Sequence, residues 1–437
     1  MVSPSVTDFI AGLRARELIR QVTGDGEFER HVAEGPRTLY CGFDPTADSL
    51  HIGHLVPLLM LRRFQQAGHR PIALVGGATG LIGDPSFKAQ ERSLNTPDVV
   101  AGWTERLRSQ VSRFIDFDRG QASALVVNNL DWMAQMSVLD FLRDVGKHFS
   151  VNAMIHKESV KQRIEREGEG ISFTEFSYML LQSYDFAELN RRYGCTVQVG
   201  GSDQWGNIVG GIELTRRSSG HAVHGMTVPL VVKADGTKFG KTESGAVWLD
   251  PAKTSPYAFY QFWLNTADAD VYRFLRYFTF LDLEEIGRIE AEDLAATGKP
   301  QAQGVLAREV TGLVHGEEGL SAALRISSAL FSGDIHGLSE GDFIQLRQDG
   351  LPASRLHPGN LAERTLSQLL TECGLASSGK QVKDALGNQG LQVNGVVVGG
   401  GGNANAAACF SPDRSMLGRY FLVRLGKKKY HLFELEC

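Results

Sequence analysis

Between Thr38 and Val232, short β-branched and apolar runs alternate with longer stretches whose apolar positions recur every three to four residues. The strand-like runs are 38–43 (TLYCGF), 71–76 (PIALVG), 123–127 (SALVV), 196–199 (TVQV) and 227–232 (TVPLVV). Helical periodicity covers 50–67, 98–115, 136–146, 150–166, 174–190 and 203–217. This alternation predicts an α/β, Rossmann-like doubly wound domain over 1–247, with a parallel sheet covered by helices on both faces. In such sheets ligands bind beyond the carboxyl ends of the strands, where the strand order switches. The loops after 43, 76, 199 and 232 are therefore where chemistry is expected.

From Trp248 to Phe331 the pattern is helical, as in YAFYQFWLNTADADVYRFLRYF and QGVLAREVTGLVHG. A helical domain over 248–332 is expected, then a polar linker over 333–360. Residues 361–437 change character again: two short helices, then LQVNGVVVGGGGNANAAA and GRYFLVRLGKKKYHLFEL. Alternation with Asn-Gly and Leu-Gly-Lys turns predicts a small α+β module with paired strands. The N-terminal stretch reads as a short amphipathic helix without the apolar core of a secretory signal.

Composition narrows the class. The 437 residues, 42% hydrophobic and 22% charged, are globular, and a chain this long predicts two to three domains. No apolar run reaches the roughly 20 residues of a membrane span. Five scattered cysteines (Cys41, Cys195, Cys373, Cys409, Cys437), never spaced CxxC, point to a reducing, cytoplasmic setting rather than to zinc or a disulfide framework. Forty-five Lys+Arg against fifty Asp+Glu give a net charge of -5, so any RNA contact must use a local basic patch.

Strand 38–43 runs into Asp44-Pro45-Thr46-Ala47-Asp48-Ser49-Leu50-His51-Ile52-Gly53-His54. With Asp48 or Ser49 as N-cap, His51 and His54 fall on one side of a first helical turn. The turn's unpaired N–H groups and dipole make an anion site there. Gly53 leaves room for a flat base or sugar to approach the backbone. Two surface histidines capping a helix fit the same spacing. Pro57 predicts a kink just behind the motif.

After the last strand comes KADGTKFGKT (233–242), in which two glycines and three lysines make a deformable basic loop. Such a loop can close over a polyphosphate; a solvated basic hairpin is the alternative. On the helix 174–190, Tyr178, Gln182 and Asp185 share one face amid apolar neighbours. A buried Gln and Asp need partners, since an unpaired buried polar group costs about 1–3 kcal/mol. A buried structural network and a ligand with an ammonium group and a phenol both meet that need.

Taken together, YCGFDPTADSLHIGHLVPLL, VGGATGLIGDPS, TEFSYMLLQSYDF, GGSDQWGN and KADGTKFGKT resemble the bacterial-type tyrosyl-tRNA synthetases, a class I aminoacyl-tRNA synthetase family. The resemblance is strong over 38–320 and looser beyond. The lysine loop departs from the KMSKS pattern, with Phe239, Gly240 and Thr242 in place of Met, Ser and Ser, but keeps Lys238 and Lys241.

The resemblance implies two steps: tyrosine carboxylate attacks the ATP α-phosphate, and the terminal adenosine of tyrosine tRNA then takes the tyrosyl group. It implies that Asp185 and Tyr40 bond the substrate phenol, that Tyr178, Gln182 and Asp84 hold its ammonium group, and that Gln204 lies near its carboxylate. Thr46 and His51 are implied at the γ-phosphate, and His54, Cys41, Gly53, Asp44, Gly201 and Asp203 around the ATP ribose and phosphates. Lys88, Arg92, Lys238, Lys241 and Thr242 are implied around pyrophosphate. ATP is a substrate accompanied by Mg²⁺, with no carboxylate cluster resembling a dedicated metal site. The C-terminal module resembles an S-four-like RNA-binding domain, with Arg414, Arg419, Arg424, Lys427, Lys428 and Lys429 as its basic patch among Tyr420, Phe421 and Tyr430. The family is homodimeric, and Phe173 matches an interface position; a buried structural phenylalanine is the alternative there.

Three other functions are compatible with parts of this pattern. A nucleotidylyltransferase also places HxGH after a first strand, but needs neither the helical region nor the tail. A tryptophanyl enzyme is nearer, though Tyr40 with Asp185 favours a phenol over an indole. An RNA-binding protein on the same scaffold would not need an intact HIGH, Lys238, Lys241 and substrate stripe.

Overall fold

The computed structural model describes residues 6–436 apart from 87–94, 158–159, 162–163, 165–169, 238, 243–244, 358, 360, 362–363 and 400–404. The chain packs into two units, one of Met1–Asp250 with Ala267–Ala302, the other of Pro251–Thr266 with Gln303–Cys437.

The first unit is built on a six-stranded sheet: β1 (Gln21–Val22), β2 (Thr38–Phe43), β3 (Arg70–Val75), β4 (Leu125–Asn128), β5 (Cys195–Gly201) and β6 (His224–Val228), in the order β1-β6-β5-β2-β3-β4. All neighbours are parallel except β1, which pairs antiparallel with β6. The chain winds from β2 outward to β3 and β4, then returns to the other side of β2 for β5 and β6. The order therefore reverses between β2 and β5, where a ligand crevice opens in such sheets. The expected parallel doubly wound sheet is present. Its last strand differs from 227–232: β6 begins at His224 and stops at Val228, because Pro229 has no N–H to continue the ladder.

Beside the crevice, helix Phe173–Tyr193 starts where the Ser172 hydroxyl accepts the Glu175 N–H and ends at Gly194 (φ 62°), a left-handed position suited to glycine. Its inner face packs Phe186 and Leu189 on Tyr40, Ile72 and Leu74 of the sheet. The region expected as a helix over 136–146 is broken into Val138–Asp140, a π-turn Phe141–Val145 and a 3₁₀ turn Gly146–His148. A short antiparallel ladder, β7 (Lys241–Thr242) with β8 (Gly245–Ala246), closes the lysine segment.

The helical stretch 248–332 does not form the single block expected. Helices Asp268–Phe278 and Leu283–Ala295 belong to the first unit, where buried Arg63 donates to the Thr279 carbonyl and Arg16 to the Leu281 carbonyl at the helix end. Helix Pro256–Leu264 and nearly all of Ala302–Ser332, which breaks at Gly316 (φ 70°), belong to the second unit.

The second unit carries a five-stranded sheet of β9 (Ala353–Leu356), β10 (Leu391–Val393), β11 (Val396–Val397), β12 (Tyr420–Leu425) and β13 (Lys429–Leu435), ordered β11-β10-β12-β13-β9. The segment 333–360 is not a linker: it contains helix Glu340–Gln345 and strand β9, which pairs parallel with β13. Strand β12 is apolar on both faces. Tyr420 and Leu422 join a core with Ile326, Phe343 and Leu346, while Phe421, Val423 and Leu425 join one with Leu366, Leu370 and Val382. Two-sided burial explains why this strand reads as a continuous apolar run rather than an alternating one.

Candidate active site

At the carboxyl ends of β2 and β5 lies a cavity of about 510 Å³. Tyr40, Cys41, Asp44, Thr46, His51, Gly53, His54, Asp84, Tyr178, Gln182, Asp185, Gly201, Asp203 and Gln204 all line it. Most of the scattered sequence candidates thus converge on one place, because four different strand ends and one helix face meet there.

One end is apolar with two polar exceptions. Asp185 is 1% exposed, and its two oxygens accept from Trp132 Nε1 at 2.8 Å and Asn129 Nδ2 at 3.0 Å. Burial pushes its carboxyl up to about 8, against the pull of those two donors. The Tyr40 ring meets Phe186 edge-on at 5.2 Å, and its hydroxyl is buried with no hydrogen-bond partner among the described residues. Burial foremost, then the Asp185 charge, holds the Tyr40 phenol well above its usual range, so it stays a neutral donor. A buried phenol without a partner beside a buried carboxylate describes a place where a ligand hydroxyl completes the bonding.

The middle of the cavity is a polar network. Thr79 Oγ1 donates to one Asp44 oxygen at 2.7 Å, and Asn129 Nδ2 donates to that threonine hydroxyl at 3.0 Å. Asn129 thereby ties Asp185 to Asp44. Asp84 accepts from Ser86 N at 2.9 Å and from Gln204 Nε2 at 2.8 Å. Asn207 Nδ2 joins Gln182 at 2.9 Å to Gln204 at 3.2 Å. Asp44, Asp84 and Asp203 make this lining acidic, which suits a cationic group such as an ammonium. Gly76 is required by the crowding: a Cβ there would stand 2.0 Å from Asp44 Oδ1 and 2.3 Å from Thr79 Oγ1.

The histidines sit differently from expectation. Asp48 instead pairs with Arg106 at 2.8 Å, and Ser49 bonds Leu50 and Gln110. His51 itself caps a 3₁₀ turn, Ile52–His54: its Nδ1 accepts the Gly53 N–H at 3.0 Å, and His54 Nδ1 accepts the His51 N–H at 3.2 Å. An Nδ1 that accepts carries no proton, so each neutral ring bears its proton on Nε2. The rings lie 4.1 Å apart. Gly53 serves this cap, since a Cβ there would meet the His51 ring at 2.8 Å. The α-helix begins only at Leu55, so the bend expected at Pro57 takes the form of a 3₁₀-to-α junction, and Pro57 sits in a first turn where its missing N–H removes no bond.

Known proteins resemble the chain in the same terms. A family model described as tRNA synthetases class I (W and Y) matches residues 33–332. This chain belongs to that family. A model of the tyrosine–tRNA ligase SYY-like C-terminal domain matches residues 342–433 of this class I chain. A tyrosine–tRNA ligase of Aliivibrio salmonicida (strain LFI1238) is 59% identical over 429 residues, 98% of this chain and 99% of the relative. One from Yersinia pestis (strain Pestoides F) is 58% identical over 426 residues, 98% of each. Among solved structures, a C-terminally truncated mitochondrial tyrosyl-tRNA synthetase of Aspergillus nidulans is 32% identical with a TM-score of 0.67, covering 74% of this chain and 94% of that one.

The other candidates of this class I chain lie elsewhere. Lys88, Arg92 and Lys238 fall outside the described residues; for Lys241 and Thr242 the backbone ladder is described. Lys427, Lys428 and Lys429 are exposed around the β12–β13 turn. Arg424 lies over the Tyr430 ring at 5.6 Å and donates to the Gly426 and Lys427 carbonyls. Arg414 donates to the Ala408 carbonyl. Arg419 is not a free cation, because it pairs with Glu434 and Glu340. Tyr420 and Phe421, expected among the basic residues, are buried at 1% and 0% exposure and have no face to offer a base.

Sequence reasoning missed Thr79, Asn129, Trp132 and Asn207, which hold the lining side chains in place. Their only signal was position, just past β3, just past β4 and in the first turn of the helix Trp205–Ser219 that follows β5. Among the described residues no group of three or more His, Cys, Asp or Glu is placed to hold a metal ion, and no helix is long and apolar enough to cross a membrane.

Proposed function

We propose that this chain is a tyrosine–tRNA ligase that activates L-tyrosine with ATP and transfers the tyrosyl group to the terminal adenosine of tyrosine tRNA. One observation carries the choice of amino acid: the buried Tyr40 hydroxyl, without a partner among the described residues, beside buried Asp185. A substrate phenol accepts from Tyr40 and donates to Asp185, so both protein groups are satisfied at once. Phenylalanine leaves both unpaired, and tyrosyl-tRNA synthetases are themselves the standard instance of such rejection. An indole N–H donates but offers no lone pair to Tyr40.

The substrate ammonium belongs among Tyr178, Gln182 and Asp84, with Gln204 beside the carboxylate. In the first step a carboxylate oxygen attacks the α-phosphorus in line and pyrophosphate leaves. In the second, the ribose hydroxyl of the terminal adenosine attacks the tyrosyl carbonyl and AMP leaves. Neither step needs a covalent bond to the protein. The Nε2–H groups of His51 and His54, with Thr46, serve as donors to phosphate oxygens as charge shifts toward the leaving group. Lys88, Arg92, Lys238 and Lys241 supply positive charge to pyrophosphate. Cys41, Gly201 and Asp203 line the ribose side; burial lifts the Cys41 thiol to about 12, which makes it a packing group rather than a nucleophile. Mg²⁺ enters with the ATP phosphates, and no step is assigned to a protein-held metal. Lys427–Lys429 and Arg424 meet tRNA phosphates.

The active form is read as a homodimer in a reducing, cytoplasmic compartment. Phe173 is 78% exposed, as are Val138 at 75% and Leu139 at 78%, which removes the buried-core explanation for Phe173 and favours a partner surface. ATP–pyrophosphate exchange with tyrosine, tryptophan and phenylalanine, followed by tRNA charging, tests the reading. Exchange that is driven by tryptophan, or by no amino acid, overturns it.

A further inference from the structure

Two buried residues beside the cavity, Thr79 and Asn129, join its two ends to each other. Asn129 follows β4 and is fully buried; Thr79, in the 3₁₀ turn Thr79–Leu81 after β3, is 2% exposed. The Asn129 side-chain oxygen accepts the Ala78 N–H at 2.7 Å, which fixes the orientation of the amide. Its two Nδ2 protons then point apart, one to Asp185 Oδ2 and one to Thr79 Oγ1, each at 3.0 Å. Thr79 donates in turn to Asp44 Oδ1, and the Tyr178 hydroxyl donates to Oδ2 of the same carboxylate.

Tyr178, Asp44, Thr79, Asn129 and Asp185 thus form one continuous path of hydrogen bonds from the ammonium end of the cavity to the phenol end. Tyr178 gives its proton to Asp44, so an oxygen lone pair is what it offers to a substrate ammonium. Asp185 offers an acceptor to a substrate phenol. A molecule with both groups closes the path into a ring, and a molecule with one leaves it open. Bonds in such a chain polarise one another in a dry interior. Charge acts in the same direction. Burial foremost raises the Asp185 carboxyl to about 8, and the Asp44 charge adds to the rise. An ammonium beside Tyr178 offsets the Asp44 charge and so favours an ionised, phenol-accepting Asp185.

We propose that Thr79 and Asn129 are positioning residues that make recognition of the substrate ammonium and of its phenol cooperative, so that the site selects for both groups on one molecule. This deepens the reading of the cavity as a tyrosine site, and rests on it. A brace with a packing role alone would hold both ends without linking them.

Four ligands that differ only in these two groups measure the link: tyrosine, phenylalanine, desaminotyrosine (phenol without ammonium) and hydrocinnamate (neither group). Their Kd values, taken by competition with labelled tyrosine, form a closed cycle. In the unsubstituted protein, tyrosine is expected to bind about tenfold more tightly than the separate gains from its hydroxyl and its ammonium predict. Thr79→Val removes the hydroxyl and is expected to cut that excess to about twofold or less; Thr79→Ser is expected to restore it. An excess absent from the unsubstituted protein overturns the proposal, whether or not any variant folds. An excess retained in Thr79→Val also overturns it, since all four ligands then weaken alike, as packing alone requires. Should labelled tyrosine not bind at all, the reading of the cavity falls and takes the proposal with it. Tyrosine that binds with additive contributions sinks the proposal alone.

Discussion

The Tyr178 hydroxyl donates to Asp44 Oδ2 at 2.6 Å while Thr79 occupies the other oxygen of the same carboxylate. Tyr178 comes from the substrate helix and Asp44 from the end of β2, so this bond joins the amino-acid side of the cavity to the strand end that leads to His51. Desolvation, then the Asp44 and Asp84 charges, holds the Tyr178 phenol well above its usual range, which keeps it a donor. Tyr178→Phe leaves Asp44 one donor short in a half-buried setting, a loss of about 1–3 kcal/mol. Tyrosine Kd by equilibrium dialysis is expected to rise by about tenfold or more; an unchanged Kd contradicts this placement.

Asp185 gives the site a pH dependence. Burial raises its carboxyl from the ordinary 3.8 to about 8, so the ligand-free protein holds it protonated at neutral pH. A phenol donating to Asp185 favours the ionised form, so binding releases a proton. Tyrosine Kd is therefore expected to fall as pH rises from 6 toward 8, and Asp185→Asn to remove that slope. The stability effect has the opposite sense: the contribution of protonated Asp185 is fully present below pH 4 and is lost as pH rises toward 8. Calorimetry in two buffers of different ionisation enthalpy measures the proton release, and a buffer-independent enthalpy would rule it out.

Trp132 and Asn129 hold the Asp185 carboxylate in its orientation. Trp132→Phe removes the 2.8 Å donor and keeps most of the packing in the cluster with Phe186 and Leu189. A hydrogen bond to a charged group is worth about 1.5–3 kcal/mol. The kcat/KM for tyrosine is expected to drop by about 10- to 100-fold. Phenylalanine never uses the bond, so its smaller drop narrows the discrimination. Equal losses for both amino acids would assign Trp132 to packing alone.

The sheet was legible because parallel strands, covered on both faces, leave unbroken β-branched runs such as TLYCGF and PIALVG. Strand β1 was not, since two residues held by antiparallel bonds to β6 carry no periodicity of their own. Tyr178, Gln182 and Asp185 were legible as a stripe because helical geometry alone puts them on one face. Thr79 and Asn129 lie in turns, where a side chain's direction depends on backbone dihedrals that composition does not encode, and Trp132 lies in a four-residue helix, Leu130–Met133, too short to show a periodicity. The linker reading of 333–360 failed for a related reason. Strand β9 is a polar-looking edge whose pairing with β13 is a long-range choice, invisible in ASRL itself.

Phe173, with Val138 and Leu139, tests the assembly. These side chains stand out of a unit whose other large apolar residues are mostly buried. Phe173→Asp places a charge on that surface without touching the cavity lining. Light scattering is expected to report a dimer for the unsubstituted protein and a monomer for the variant. A variant that stays dimeric removes Phe173 from the interface.

The basic turn tests the RNA contact, and the structure decides how. Removing 361–437 would strip Tyr420, Leu422 and Leu432 from a core shared with Ile326 and Phe343, so a truncated chain would lose packing as well as charge. Replacing exposed Lys427, Lys428 and Lys429 by Ala changes charge alone, because Arg424 still props the turn through the Gly426 and Lys427 carbonyls. Each phosphate contact adds roughly 0.7–0.9 to the slope of log affinity against log salt. The triple variant is expected to lower that slope for tRNA by about two, to weaken charging at physiological salt, and to leave tyrosine-dependent pyrophosphate exchange intact. The exchange step uses the cavity at the ends of β2 and β5 and the residues assigned to pyrophosphate, none of them in the β12–β13 turn, so a matching loss there would mean that the substitutions disturb folding. An unchanged salt slope with full charging would place the tRNA contact on another surface.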